Sequence, residues 1–139
     1  MRLRGTFKTF SGFCFIVIAI ELNFYRSDRP MSVKKQFGSF DELLKSSELP
    51  VLVDFYAPWC GPCQLMTGIL DKVSETMKDK VQIVKINTDN YPALASQYQI
   101  TALPTLVLFK DGTPVDRIEG VIQVQPLCNR IVPFIPQKA

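Results

Sequence analysis

Two apolar runs, "VLVDFY" at 51–56 and "VQIVKIN" at 81–87, flank one long stretch of helical periodicity. No other feature restricts the fold as much. The first run is short and nearly continuous, as a strand buried on both faces must be. Between the runs, Leu65, Met66, Ile69, Leu70, Val73 and Met77 fall on one stripe, with Gln64, Asp71, Lys72, Glu75 and Lys78 opposite. Gly68 interrupts that pattern and is expected to bend the helix. Strand, helix and strand in this order predict a parallel pair joined by a right-handed crossover.

The flanking sequence extends the pattern. "SFDE", Ser39 to Glu42, is a capping box, so a short helix begins near Phe40 and Pro50 ends the connection behind it. "DNYPALASQY" reads as a capped helix with Pro92 in its first turn. "ITALP" is a loop, and "TLVLFK", 105–110, is another buried strand. Asp111-Gly112 signals a hairpin, with "PVDRI", 114–118, as the returning edge strand and Gly120 as its end. A last helix starts near Pro126, and Pro133 shortens it. Alternating helices and strands of this kind predict an α/β domain, a three-layer α/β/α sandwich around a central mixed sheet.

At 139 residues, the chain has the length of one domain with a real core. Residues 31–139 form that domain. Their eleven basic and eleven acidic residues cancel, so charge gives no argument for nucleic acid. The whole net charge of +3 resides in residues 1–30, which read as a targeting or disordered leader. The leader is basic and acid-poor over its first twenty residues. Its apolar stretch "FCFIVIAI", Phe13 to Ile20, is too short to span a bilayer. A secretory signal would fit the apolar stretch, although no clear small-residue cleavage site follows. An organellar transit segment would fit the charge, against a shortage of serine. A start at Met31 would give a leaderless protein.

Chemistry concentrates in "VLVDFYAPWCGPC", Val51 to Cys63. Cys60 and Cys63 stand at i and i+3 at the start of the long helix, on one face and close enough to bridge. Unpaired N–H groups and the helix dipole at that end favour a thiolate on Cys60. Cys63, one turn in and beside the apolar stripe, is the less exposed of the two. The assignment is therefore an exposed attacking Cys60 and a resolving Cys63. Structural zinc needs four ligands, and the chain has no histidine and no second CxxC, so no metal is expected. Haem attachment fails because Gln64 stands where CxxCH needs histidine. A structural disulfide across so small a loop stabilises little. Cys14 and Cys128 sit in unlike surroundings and suggest no pair. Asp54 lies six residues before Cys60, between Val53 and Phe55. Burial there raises a carboxyl's pKa toward the range useful for proton transfer.

"VLVDFYAPWCGPCQLM" together with "IVKINTDNYPALASQYQITALPTLVLFKDG" resembles the thioredoxin family over about residues 36–131, and the wording is most like the y type of plant plastids. The resemblance implies a thioredoxin fold and a protein-disulfide reductase. It makes Asp54 the proton acceptor for Cys63 and Lys85 its neighbouring lysine. Gly61 and Pro62 become the pair that sets a reducing poise. Pro104 becomes a cis-proline facing the cysteines. Trp59, Leu103 and Gly120 complete an apolar docking patch for the substrate. Tyr56 replaces a common second tryptophan, Gly68 a helix-kinking proline, and Glu119 a commoner apolar residue. No bound cofactor is implied, because the electrons reside on the two sulfurs.

The y type further implies the chloroplast stroma, a ferredoxin-dependent thioredoxin reductase as donor, and peroxiredoxins and methionine sulfoxide reductases as targets. It also implies a monomer without stable membrane association. Two other readings stand beside it: a disulfide oxidase or isomerase of a secretory compartment, and a non-catalytic thioredoxin-like binding module. The Gly61-Pro62 pair argues against the first and the intact cysteines against the second.

Overall fold

A computed structural model describes residues 23–24 and 39–137. The elements are β1 (Asn23–Phe24), α1 (Phe40–Ser46), β2 (Val51–Tyr56), α2 (Gly61–Thr76), β3 (Gln82–Asn87), α3 (Pro92–Gln97), β4 (Thr105–Lys110), β5 (Thr113–Glu119) and α4 (Val124–Ile131). They build a five-stranded mixed sheet in the order β1-β3-β2-β4-β5. β2 and β3 are parallel, with Asp54 beside Lys85; β4 is antiparallel to β2, and β5 to β4.

The alternation of side chains along each strand decides which helices cover which face. Val51, Val53, Phe55, Val84, Ile86, Val107 and Phe109 pack with Phe40, Leu43 and Leu44 of α1 and with Leu94 of α3. Phe40, Tyr98 and Phe109 form an edge-on aromatic cluster there, with ring centroids 5.2–6.0 Å apart. On the opposite face, Leu52, Ile83, Leu106 and Leu108 pack with Met66, Leu70 and Val73 of α2 and with Leu127 and Ile131 of α4. The result is the three-layer α/β/α sandwich. It also fixes the direction of Asp54, which alternates with Val53 and therefore shares the α2 side with Leu52.

Local chemistry explains most element ends. The Ser39 hydroxyl accepts the Glu42 N–H at 3.2 Å and starts α1. Asp111 and Gly112 both take positive φ, 53° and 81°, as a two-residue hairpin of the primed kind requires. α2 runs unbroken through Gly68. Pro92 sits in the first turn of α3, but no side chain caps that helix. The α4 helix begins at Val124, two residues before the expected start, and passes into a short 3-10 turn at Val132–Phe134, where Pro133 stands.

One strand falls inside the leader that the sequence sets apart from the fold. Asn23 and Phe24 pair antiparallel with Lys85 and Val84 on the edge of β3. The rest of the leader, Cys14 included, lies outside the described residues.

Candidate active site

The carboxyl end of β2, a central strand, leads straight into the cysteines. A turn at Ala57–Cys60, closed by the Cys60 N–H to the Ala57 carbonyl at 3.1 Å, brings Cys60 to the N-cap of α2. Cys60 and Cys63 are joined as a disulfide with Cα atoms 5.3 Å apart. The Cys63 N–H points at the Cys60 sulfur at 3.3 Å, so a free donor of the first helical turn faces the atom that would carry thiolate charge.

The exposure expected of Cys60 is not found. Cys60 is 5% exposed and Cys63 2%. The N-cap conformation turns the Cys60 side chain back over the helix start, and the bridge holds it against Ala57, Tyr56 and Leu103. Exposure belongs instead to the residues around it: Trp59 is 73% exposed, and Gly61 and Pro62 lie open beside it. The indole N–H of Trp59 donates to Asp89 Oδ2 at 3.1 Å, which holds the ring at the surface. Gly61 has free space where a side chain would stand, so nothing in the packing forces glycine there.

A groove of about 450 Å³ runs past the pair between Trp59, Cys60 and Pro62 on one side and Ile100, Ala102 and Leu103 on the other. The Leu103–Pro104 peptide is cis. Pro104 itself is buried, and its carbonyl accepts the Gly120 N–H at 2.9 Å. Gly120 thus braces the cis-proline loop and does not line the groove.

Asp54 is fully buried, and among the described residues neither of its carboxylate oxygens finds a hydrogen-bond partner. Burial pushes its pKa from 3.8 up to about 7, and the positive charge of Lys85 limits the rise. The Lys85 ammonium stands 3.9 Å from Asp54 Oδ2, beyond hydrogen-bond distance, and 4.7 Å from the centre of the Tyr56 ring. It donates instead to the Thr67 hydroxyl at 2.7 Å, which in turn donates to the Cys63 carbonyl at 3.1 Å. Sequence reasoning passes over Thr67 and Asp89. Helical spacing places the Thr67 hydroxyl within reach of the carbonyl four residues back, but only the crossover brings Lys85 to the same oxygen.

A dithiol/disulfide pair at a helix start, with a buried carboxyl raised toward neutrality on the strand that leads into it, is equipped for thiol–disulfide exchange. Comparison with known proteins agrees. The thioredoxin family model matches residues 31–132. A thioredoxin-like protein of the cyanobacterium Synechocystis sp. is 57% identical over 105 residues, 76% of this chain and 100% of that relative. Chloroplastic thioredoxin Y1 of Arabidopsis thaliana is 58% identical over 104 residues, 74% of this chain but only 60% of that longer protein. Among solved structures, oxidised mitochondrial thioredoxin 3 of Saccharomyces cerevisiae superposes with a TM-score of 0.62 at 36% identity, covering 68% of this chain and 86% of that one. The chain belongs to the thioredoxin family, as a thiol–disulfide oxidoreductase that reduces protein disulfides through the Cys60–Cys63 couple.

Proposed function

We propose a division of labour among the residues of this couple. The Cys60 thiolate attacks one sulfur of a target disulfide. That bond breaks, a mixed disulfide forms, and the departing target sulfur takes a proton from water. Asp54 accepts the proton of the Cys63 thiol, and the Cys63 thiolate attacks the Cys60 sulfur. The second target sulfur leaves as a thiol once protonated. Two electrons have passed to the target, and Cys60 and Cys63 are left bonded, the state described above. Lys85 moderates the proton affinity of Asp54. Trp59, Leu103 and Pro104 dock the target beside the groove, Gly120 braces Pro104, and Gly61 and Pro62 set the poise. The observation that carries this reading is the buried Asp54, without a hydrogen bond among the described residues, on the same side of the sheet as the helix that bears Cys63.

The kinds of relatives support a physiological setting. Three plant relatives at 54–60% identity are described as chloroplastic. The proposed setting is therefore the chloroplast stroma, with the segment before the domain as a transit sequence. A ferredoxin-dependent thioredoxin reductase supplies the electrons, and peroxiredoxins and methionine sulfoxide reductases receive them. A fluorescent fusion of residues 1–30 that stays in the cytosol would refute the location.

Equilibration against a glutathione or dithiothreitol couple tests the reductase poise. The expected potential is about −270 mV, a value long known for thioredoxins and not a consequence of this structure. A potential well above that would favour the oxidase or isomerase, and absence of exchange would leave a binding module. A Cys63→Ser variant accumulates mixed disulfides through Cys60; their absence would overturn the assigned roles.

A further inference from the structure

The Lys85 side chain is the unexpected element of the site. An ammonium close to a buried carboxylate would ordinarily close to hydrogen-bond distance, because its attraction to an opposite charge is stronger than its attraction to a neutral hydroxyl. Here it stops at 3.9 Å from Asp54 and donates at 2.7 Å to Thr67. The Thr67 hydroxyl proton is committed to the Cys63 carbonyl at 3.1 Å, so a lone pair of the same oxygen faces Lys85. The Tyr56 ring, 4.7 Å from the ammonium, offers it a further attractive face. A threonine on α2 therefore competes with the carboxyl on β2 for one cation on β3.

We propose that Thr67 is a positioning residue: its hydroxyl ties the Lys85 ammonium to the backbone of Cys63 and keeps it beyond hydrogen-bond distance of Asp54, so that the carboxyl stays available to exchange a proton with Cys63. The functional half of this proposal rests on the reading of Asp54 as proton acceptor. Among the described residues, the other titratable groups at least partly buried on the helices of this side and on β2 are Asp71 on α2, Tyr56 on β2 itself and the Cys128 thiol on α4; Cys63 is held in the disulfide, and β4 contributes Leu106 and Leu108. Lys85 is the charge that acts on Asp54.

The test is the titration of the Asp54 carboxyl, followed by NMR in the oxidised protein. In Thr67→Val the ammonium loses the Thr67 hydroxyl and moves toward Asp54, and the midpoint falls by about one pH unit. Thr67→Ser restores it. In a Lys85→Met background the same Thr67→Val change leaves the midpoint where it was. Thr67→Ala gives the same reading if Thr67→Val does not fold. A midpoint that stays or rises in Thr67→Val, or an equal fall without Lys85, overturns the proposal. The Asp54 reading is checked separately. If Asp54→Asn resolves mixed disulfides with the wild-type pH profile, Asp54 is not the acceptor and the functional half of the proposal falls, whatever the titrations show.

Discussion

Replacing Asp54 by asparagine removes a carboxyl that is fully buried in the core and should change how stability depends on pH. The carboxyl titrates at 3.8 when unfolded and at about 7 in the fold, where burial raises it and Lys85 opposes part of the rise. Below pH 3.8 it is protonated in both states and no penalty exists. Between the two values the folded chain holds a proton that the unfolded chain has released. The unfolded state therefore gains as pH rises, and wild-type stability falls until about pH 7, then levels. A separation of about three pH units corresponds to about 4 kcal/mol lost across that window. Asparagine has no such titration. Its own burial is unfavourable, because an amide there lacks partners, but that penalty is the same at every pH and cancels from the comparison. Urea unfolding of the oxidised proteins at pH 4 to 8 is the assay. Relative to wild type, Asp54→Asn gains about 4 kcal/mol between the ends of that range, on the order of 20 °C in Tm for a domain of this size. Stability curves that run parallel from pH 4 to 8 would refute the reasoning, since they would mean that the fold holds Asp54 ionised at no penalty.

Two glycines separate backbone effects from packing effects. Gly68→Ala in α2 meets no heavy atom within 4 Å and removes the entropy of a helical glycine, so it stabilises by about 1 kcal/mol in the same urea assay. Gly112→Ala does the opposite. At φ +81° its new Cβ would lie 2.9 Å from Lys45 Cγ, and a loss of about 1–2 kcal/mol is expected. Ser39→Ala deletes the acceptor of the Glu42 N–H and lowers the melting temperature by the equivalent of about 1 kcal/mol, without touching the redox potential. Phe55→Ala leaves a hole in the face covered by α1 and α3 and destabilises by about 3–5 kcal/mol.

Much of the fold is legible in the chain because its strands and helices have short-range signatures. The VLVDFY run, the stripe from Leu65 to Met77, the Ser39 cap and the Asp111-Gly112 turn each write their structure within a few residues. The misses have physical reasons of the same local kind. Tyr91 gives α3 no side-chain cap: the turn in which the Asn87 carbonyl receives the Asn90 and Tyr91 N–H groups at 3.2 and 3.0 Å places Tyr91 at the N-cap, and the Asp89 carboxylate accepts from Trp59. α4 starts before Pro126 because a proline in the first turn gives up no intrahelical bond. The pairing of Asn23–Phe24 with β3 lies in a segment whose composition suggests a leader, and a two-residue strand carries no periodicity to detect.

At the site, the sequence alone determined which atoms are available: two sulfurs one helical turn apart, a carboxyl in a buried strand and a proline at the end of a loop. The tertiary structure decided what surrounds them. Folding the β2-α2-β3 crossover set Asp54 beside Lys85 in register and brought Thr67 between Lys85 and Cys63, four residues drawn from three elements. It also buried the Cys60 sulfur that helix position alone would leave open. Spacing along a chain fixes which neighbours lie on one helix face or one strand face. How strongly a carboxyl holds its proton depends on the distances and burial that only packing between elements creates.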